Sequence, residues 1–276
     1  MHKIKAAVGK VFLYLSALFF LVIFGFPFIF VLFTSLKDEA GYIQDFWGPP
    51  KHLFFGNFQA VLQADFLTYF LNSLLVSLTT VAATIFIGSM AAYALATMKF
   101  KLNGPVLLLF LMGMMIPIHI TLIPIYTLTR DLGMYDKVFG LIGPYISFAL
   151  PIAIYIMTGF FKEVPVSIRE SAIIDGAPPF LVYAKIMLPL SLPAVSTIGI
   201  YNFLQTWNEF IFGLTLINSA SQKTLPLGIK DFYALQAVNI PAVITAIFVG
   251  SLPVMLFYFL AQEQVIQGLS SGAVKG

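Results

Sequence analysis

Two polar clusters interrupt an otherwise apolar chain, and both are equipped for recognition, not for bond breaking. The first lies between Arg169 and Lys185 and holds Glu170, Ser171, Asp175 and Gly176. A carboxylate beside a glycine turn makes a contact surface, and Glu170 can form an ion pair with a basic residue of a partner. The second cluster is a row of Tyr201, Asn202, Gln205, Asn208 and Glu209, with Thr197 a turn below. Spacings of three, four and seven place such residues on one helical stripe. Amides beside an aromatic face supply the hydrogen bonds and the stacking surface that a sugar requires. The competing reading of the row is polar contact between helices with no ligand, and Glu209 with Trp207 also fits a membrane-interface belt. Asn72 is a further candidate for a substrate path. No catalytic residue and no metal site are expected: the chain has no cysteine for a thiolate site, and it lacks the Gly-x4-Gly-Lys-Ser/Thr loop that cradles nucleotide phosphates.

The elements that position these clusters follow from composition. Of 276 residues, 59% are hydrophobic and only 10% charged, against roughly a quarter charged in soluble domains. Mean hydropathy is +0.94. A membrane span needs roughly 20 mostly apolar residues, and six stretches qualify: 11–36, 70–98, 105–128, 138–161, 190–217 and 241–261. The expected fold is therefore an all-α polytopic membrane protein, a single transmembrane domain over 1–276. It has a polar loop at 162–189 and a tail at 262–276. The first apolar run is too long for a signal peptide and lacks a prompt cleavage site. Placing the N-terminus inside assigns nine basic residues to inner segments and six to outer ones, while the outer segments collect seven acids. Both termini are therefore expected on the cytoplasmic side.

Along the chain, segment 37–69 reads as a small lid on the membrane surface, with turns at Gly48-Pro49-Pro50 and Gly56-Asn57. Gly88, Ala92 and Ala96 recur every four residues, the spacing that lets helices approach closely in lipid. Within 162–189, Ser167 and Glu170 read as a capping box, and Asp175-Gly176 as the end of a short helix. Pro178-Pro179 opens a second helix. Phe180, Tyr183, Ala184 and Met187 form its apolar face. Two short helices joined by a glycine turn can dock in a groove of a partner or lie on lipid.

Glu170, Ala172, Gly176, Ile186, Leu188 and Pro189 reproduce a pattern of Glu-Ala-Ala, three residues, Gly, nine residues, Ile-x-Leu-Pro, with Ser171 in place of the first Ala. This resembles the loop of bacterial ABC-importer permeases. Ala91-Ala92-Tyr93-Ala94-Leu95-Ala96, Trp207-Asn208-Glu209-Phe210 and the ending Gly268-Leu269-Ser270-Ser271-Gly272-Ala273-Val274-Lys275-Gly276 look like its carbohydrate branch, the maltose type. The resemblance implies a transport subunit of the bacterial inner membrane that is not itself an enzyme. It implies an ATPase contact at Glu170, Ser171, Ala172, Asp175, Gly176, Ala177, Ile186, Leu188 and Pro189, and a further one from the tail at Gly268, Ser271, Gly272 and Lys275. Implied partners are a second, similar permease, an ATPase homodimer holding ATP and Mg, an extracytoplasmic solute-binding protein and membrane lipid. No cofactor binds this chain, and no nucleic acid is implied. Alternatives that stay open are an importer for a polyamine, amino acid or phosphate compound, a proton-coupled transporter using Glu209, and a membrane scaffold.

Overall fold

The computed structural model describes the backbone of residues 2–236 and 239–273, and the side chains of residues 9–236, 239–259 and 262. Among the described residues all regular structure is helical. The chain forms two compact units: one runs up to Phe66 and takes in Ile229–Leu252, and the other comprises Leu67–Gly228 and the chain from Pro253 onward.

In the first unit, α1 (His2–Ser35) is apolar on every face, and its large side chains from Val11 to Phe24 stand exposed. A helix hydrophobic all round belongs in lipid or against another span. Segment 37–65 contains α2 (Glu39–Gln44) and α3 (Gly56–Gln63). Asp38 caps α2 by accepting from Gly41 N at 2.9 Å, and Gly48 N donates to Asp45 Oδ1 at 2.9 Å to form the expected turn. Gly56-Asn57 is not a turn. It opens α3, and the buried Asn57 amide donates to the carbonyls of Ser35 (3.1 Å) and Lys37 (2.7 Å). Those two acceptors sit where α1 has run out of helical partners, so the amide satisfies orphaned groups.

The second unit is built on α4 (Phe66–Thr97), α5 (Asn103–Gly113), α6 (Leu122–Asp131) and α7 (Ile142–Glu163). It continues through α8 (Val166–Ile174), α9 (Pro179–Val182), a π turn at Tyr183–Met187, α10 (Leu188–Leu190), α11 (Leu192–Trp207) and α12 (Ile211–Leu216). α13 (Leu225–Leu235) begins in this unit and α14 (Ile240–Ala273) ends in it. α4 and α7 meet closely at Gly88, where a Cβ would lie 3.2 Å from that of Ala153.

Among the described residues, four stretches are long and apolar enough to cross a membrane, and six if each of two bent pairs is one span. One bend falls inside the span expected at 105–128, and the other at the start of the one expected at 190–217. Asn103–Gly113 and Ile118–Asp131 diverge by 86°, and Pro179–Leu190 and Leu192–Trp207 by 76°. Proline accompanies both breaks. Pro117 is extended, with φ −63° and ψ 118°, and it drives the preceding residue out of the helical region. Pro193 stands within the first turn of α11, where its missing donor does no harm, after Ser191 has left the helix. The expected fifth span also ends early, because α11 stops at Trp207 and residues 211–216 form a separate helix.

Two side-chain clusters hold this unit at opposite ends of α4 and α7. One joins Ala92, Tyr93, Met157 and Phe161 to Ala172, Val182, Tyr183 and Met187. The other joins Val76, Val138, Leu141 and Tyr145 to Phe212, Leu216 and Leu227. Val76 and Ala92, like Tyr145 and Phe161, are sixteen residues apart, or roughly 24 Å along a helix axis.

Candidate functional site

The loop begins at α8, which starts two residues earlier than the capping box required. Pro165 (φ −54°, ψ 130°) is the N-cap, no side chain caps the helix, and Ser167 lies exposed. Proline presets the backbone for a first turn, so the serine is displaced from the capping position. Arg169 Nη1 reaches the Thr97 carbonyl at 3.4 Å and links α8 to the end of α4.

The C-terminal turn accounts for much of the motif's spacing. Gly176 has φ +82°, its N–H donates to Ile173 O at 3.0 Å, and Ala177 N–H donates to Ala172 O at 3.0 Å. This is the Schellman arrangement, in which glycine takes the left-handed position and the flanking residues touch across the turn. Ala172 and Ala177 both belong to the apolar cluster below the loop. Ala172, Gly176 and Ala177 thus shape the loop from beneath. Glu170, Ser171, Asp175 and Pro189 are exposed, and Ile186 and Leu188 are half-buried.

The π turn divides the face expected from Phe180, Tyr183, Ala184 and Met187. Val182, Tyr183 and Met187 are buried, Ala184 is half-buried, and Phe180 is exposed. Pro189 lacks the N–H for an α-helical bond and would crowd the carbonyl four residues back. The turn widens instead, with Leu188 N–H donating to Tyr183 O. Sequence reasoning missed the exposed apolar side chains Ile173, Ile174 (84% exposed) and Phe180. They flank the Glu170 and Asp175 carboxylates, and Glu170 has no ionic partner among the described residues. Only Ala172 of α8 is buried, and the adjacent isoleucines turn outward.

The row on α11 is not one stripe. Tyr201, Gln205 and Asn208 share an exposed face with half-buried Thr197, and Gln205 Nε2 donates to Tyr201 Oη at 3.1 Å. Asn208 Nδ2 donates to the Leu204 carbonyl at 2.9 Å. Asn202 is buried at 2% exposure on another face, and its Nδ2 has no partner among the described residues. Trp207 is not a belt residue. It is buried, stacks on Phe203 at 5.4 Å and meets Phe70 edge-on at 5.5 Å.

Glu209 turns toward the far cluster. Its carboxylate accepts from Phe212 N (2.8 Å) and Gly213 N (3.2 Å), capping α12, and from the Tyr145 hydroxyl. Asn72 Nδ2 donates to the carbonyls of Ser221 and Lys223, each at 2.9 Å, and Ser73 Oγ accepts from Leu225 N at 2.7 Å. Asp136 completes the fastening of loop 217–225 by accepting from Asn218 N, Ser219 N and Ser219 Oγ. The Ser219 hydroxyl, followed by the backbone donors, holds the Asp136 carboxyl below its ordinary pKa. The tail positions Gly268, Ser271, Gly272 and Lys275 lie outside the residues whose side chains are described.

These features define a helical membrane protein with one elaborate loop seated on its bundle. Comparison with known proteins gives the class a family. Residues 84–270 match the family described as binding-protein-dependent transport system inner membrane component. The chain is 45% identical over 251 residues to the putative ABC transporter permease protein ORF2 of Caldicellulosiruptor sp. (strain Rt8B.4), covering 91% of each chain. It is 33% identical to the sulfoquinovosyl glycerol transport system permease protein SmoH of Agrobacterium fabrum (strain C58 / ATCC 33970), covering 97% of this chain and 95% of that one. Its fold is similar to a chain in the crystal structure of a bacterial ABC transporter that imports the acidic polysaccharide alginate. That likeness has a TM-score of 0.72 at 23% identity and covers 95% of this chain and 96% of the other. The chain belongs to the binding-protein-dependent transport system inner membrane component family.

Proposed function

We propose that this chain is a translocation subunit of an ATP-driven importer for a sugar or oligosaccharide, and that the loop from Val166 to Leu190 is where the ATPase docks. One observation carries the second part: the exposed rim of Glu170, Asp175, Ile173, Ile174 and Phe180 stands on a buried root of Ala172, Val182, Tyr183 and Met187. Charged and apolar groups exposed together suit a groove on a partner protein. Their buried root turns the partner's motion into motion of the bundle.

In this reading the chain pairs with a second permease in the bacterial inner membrane. An ATPase dimer holds ATP and Mg on the cytoplasmic side, where both termini of this chain lie and its tail reaches that dimer. A solute-binding protein delivers cargo from outside. Closure of the ATPase moves the loop and biases the bundle between inward- and outward-open states. Tyr201, Gln205 and Asn208 offer uncharged donors and acceptors to the hydroxyls of a sugar, and the sulfoquinovosyl glycerol relative supports cargo of that class.

Purification in mild detergent should retain an ATPase, and Glu170→Lys should abolish uptake with the protein still inserted in the membrane. Undiminished uptake by that variant would remove the loop from the mechanism.

A further inference from the structure

The seat beneath the loop is almost wholly apolar, and apolar contact is non-directional. It opposes separation of the loop from α4 and α7, but it resists sliding weakly. A loop that transmits movement needs directed bonds as well. Arg169 supplies one, long at 3.4 Å, to a carbonyl at the end of α4. The other is buried: Tyr183 Oη and Ser89 Oγ lie 2.7 Å apart, with both residues at 5% exposure or less. Ser89 Oγ also approaches the Phe86 carbonyl at 3.3 Å. Both contacts are satisfied when the serine proton goes to that carbonyl and the phenol donates to the serine.

We infer that the Tyr183–Ser89 hydrogen bond is the positioning contact that carries loop movement sideways into α4. The inference rests on the importer reading above. Tyr183 occupies the first position of the π turn, and its own carbonyl accepts from Leu188 N–H. It therefore stands where the loop leads through α10 into α11. Ser89 stands eight residues before Thr97, the end of α4, roughly 12 Å along the axis. A push on the loop thus reaches α11 along the chain and α4 through the hydroxyl pair. Tyr93, whose ring lies 5.5 Å from that of Tyr183, fills the seat around the bond and keeps it dry. A buried hydroxyl left without a partner is costly, so the bond resists intermediate positions and keeps α4 in step with the loop.

The test uses the complete transporter, with its ATPase and binding protein, in proteoliposomes, and reads sugar taken up per ATP hydrolysed. Tyr183→Phe keeps the ring and removes the bond; Ser89→Ala removes the acceptor with a minimal change in volume. Each should lower the uptake-to-ATP ratio about fivefold, the effect of one net hydrogen bond. The ATPase should stay bound and continue to turn over. The double variant should match the singles, because both remove the same bond, and Ser89→Thr, which restores a hydroxyl, should recover part of the ratio. An unchanged ratio in both single variants, or losses that multiply in the double, would overturn the inference. If the native complex never holds an ATPase, the importer reading fails first and the inference fails with it; an intact complex with an unchanged ratio defeats the inference alone.

Discussion

The two ends of α4 and α7 are joined to their neighbours by different chemistry. At the loop end, Ala92, Tyr93, Met157 and Phe161 receive Ala172, Val182, Tyr183 and Met187 in an apolar seat, with one buried hydroxyl pair. At the other end an apolar cluster is overlaid with directed bonds: Asn72, Ser73, Asp136 and Glu209 each bind groups of the 209–225 segment. Directed bonds prescribe one geometry, whereas apolar surfaces accept several with little loss. The stapled end is built to hold its shape, and the seated end to repack when pushed. The π turn and the 76° break before α11 both lie at the seated end, whereas the 86° break leads into α6, whose Leu122, Ile125 and Tyr126 pack against the stapled cluster.

Three substitutions test this contrast. The largest effect is expected from Glu209→Ala. It strips three donors of their acceptor, including the buried Tyr145 hydroxyl, and hydrogen bonds to charged groups contribute roughly 1.5–3 kcal/mol each. Thermal unfolding in detergent should show a large loss of stability with ATPase binding preserved; unaltered unfolding would contradict the stapled description. Gly176→Ala should cost less, about 1–2 kcal/mol, for forcing a side chain into a left-handed turn at φ +82°. Its signature should be local: faster hydrogen exchange at the Gly176 and Ala177 amides and weaker ATPase retention, with the stapled end unaffected. The smallest effect concerns Asp136. Its carboxyl is held below the ordinary value of 3.8 by the bonds from Ser219 and Asn218. The contribution is therefore full above that value and lost as pH falls through the depressed one. Exchange at the Asn218 and Ser219 amides should rise at the acid end of a titration, and Asp136→Ala should abolish the step.

The sequence disclosed the loop better than the path through the bundle. Glycine at 176 could be read because few other residues adopt a left-handed turn, and the exposed Glu170 because carboxylates seldom enter lipid. The size of the 86° and 76° breaks was not legible, although a proline within an apolar segment signals a kink. In a membrane helix a proline can be absorbed as a mild kink when neighbours satisfy the freed carbonyls, and those neighbours are tertiary information. The α11 row misled for a related reason. Helical spacing places Tyr201, Asn202 and Gln205 within one broad arc, but the packing around α11 decides where that arc is cut. It buried Asn202 and left the other two exposed. Glu209 looked like a functional intramembrane carboxylate because only the structure reveals that α11 stops two residues earlier and leaves a new helix to be capped.

In the proposed importer the seated end receives work from a separate ATPase. The chain contains no cysteine, so one introduced thiol reports from a single place. Ile174→Cys, at a site 84% exposed on the loop, should cross-link to an ATPase subunit in intact inner membranes, with the adduct's yield changing when ATP is supplied. Asn218→Cys, at the stapled end, should give no such adduct. Failure to capture an ATPase through Ile174→Cys, or equal capture at both positions, would contradict the account.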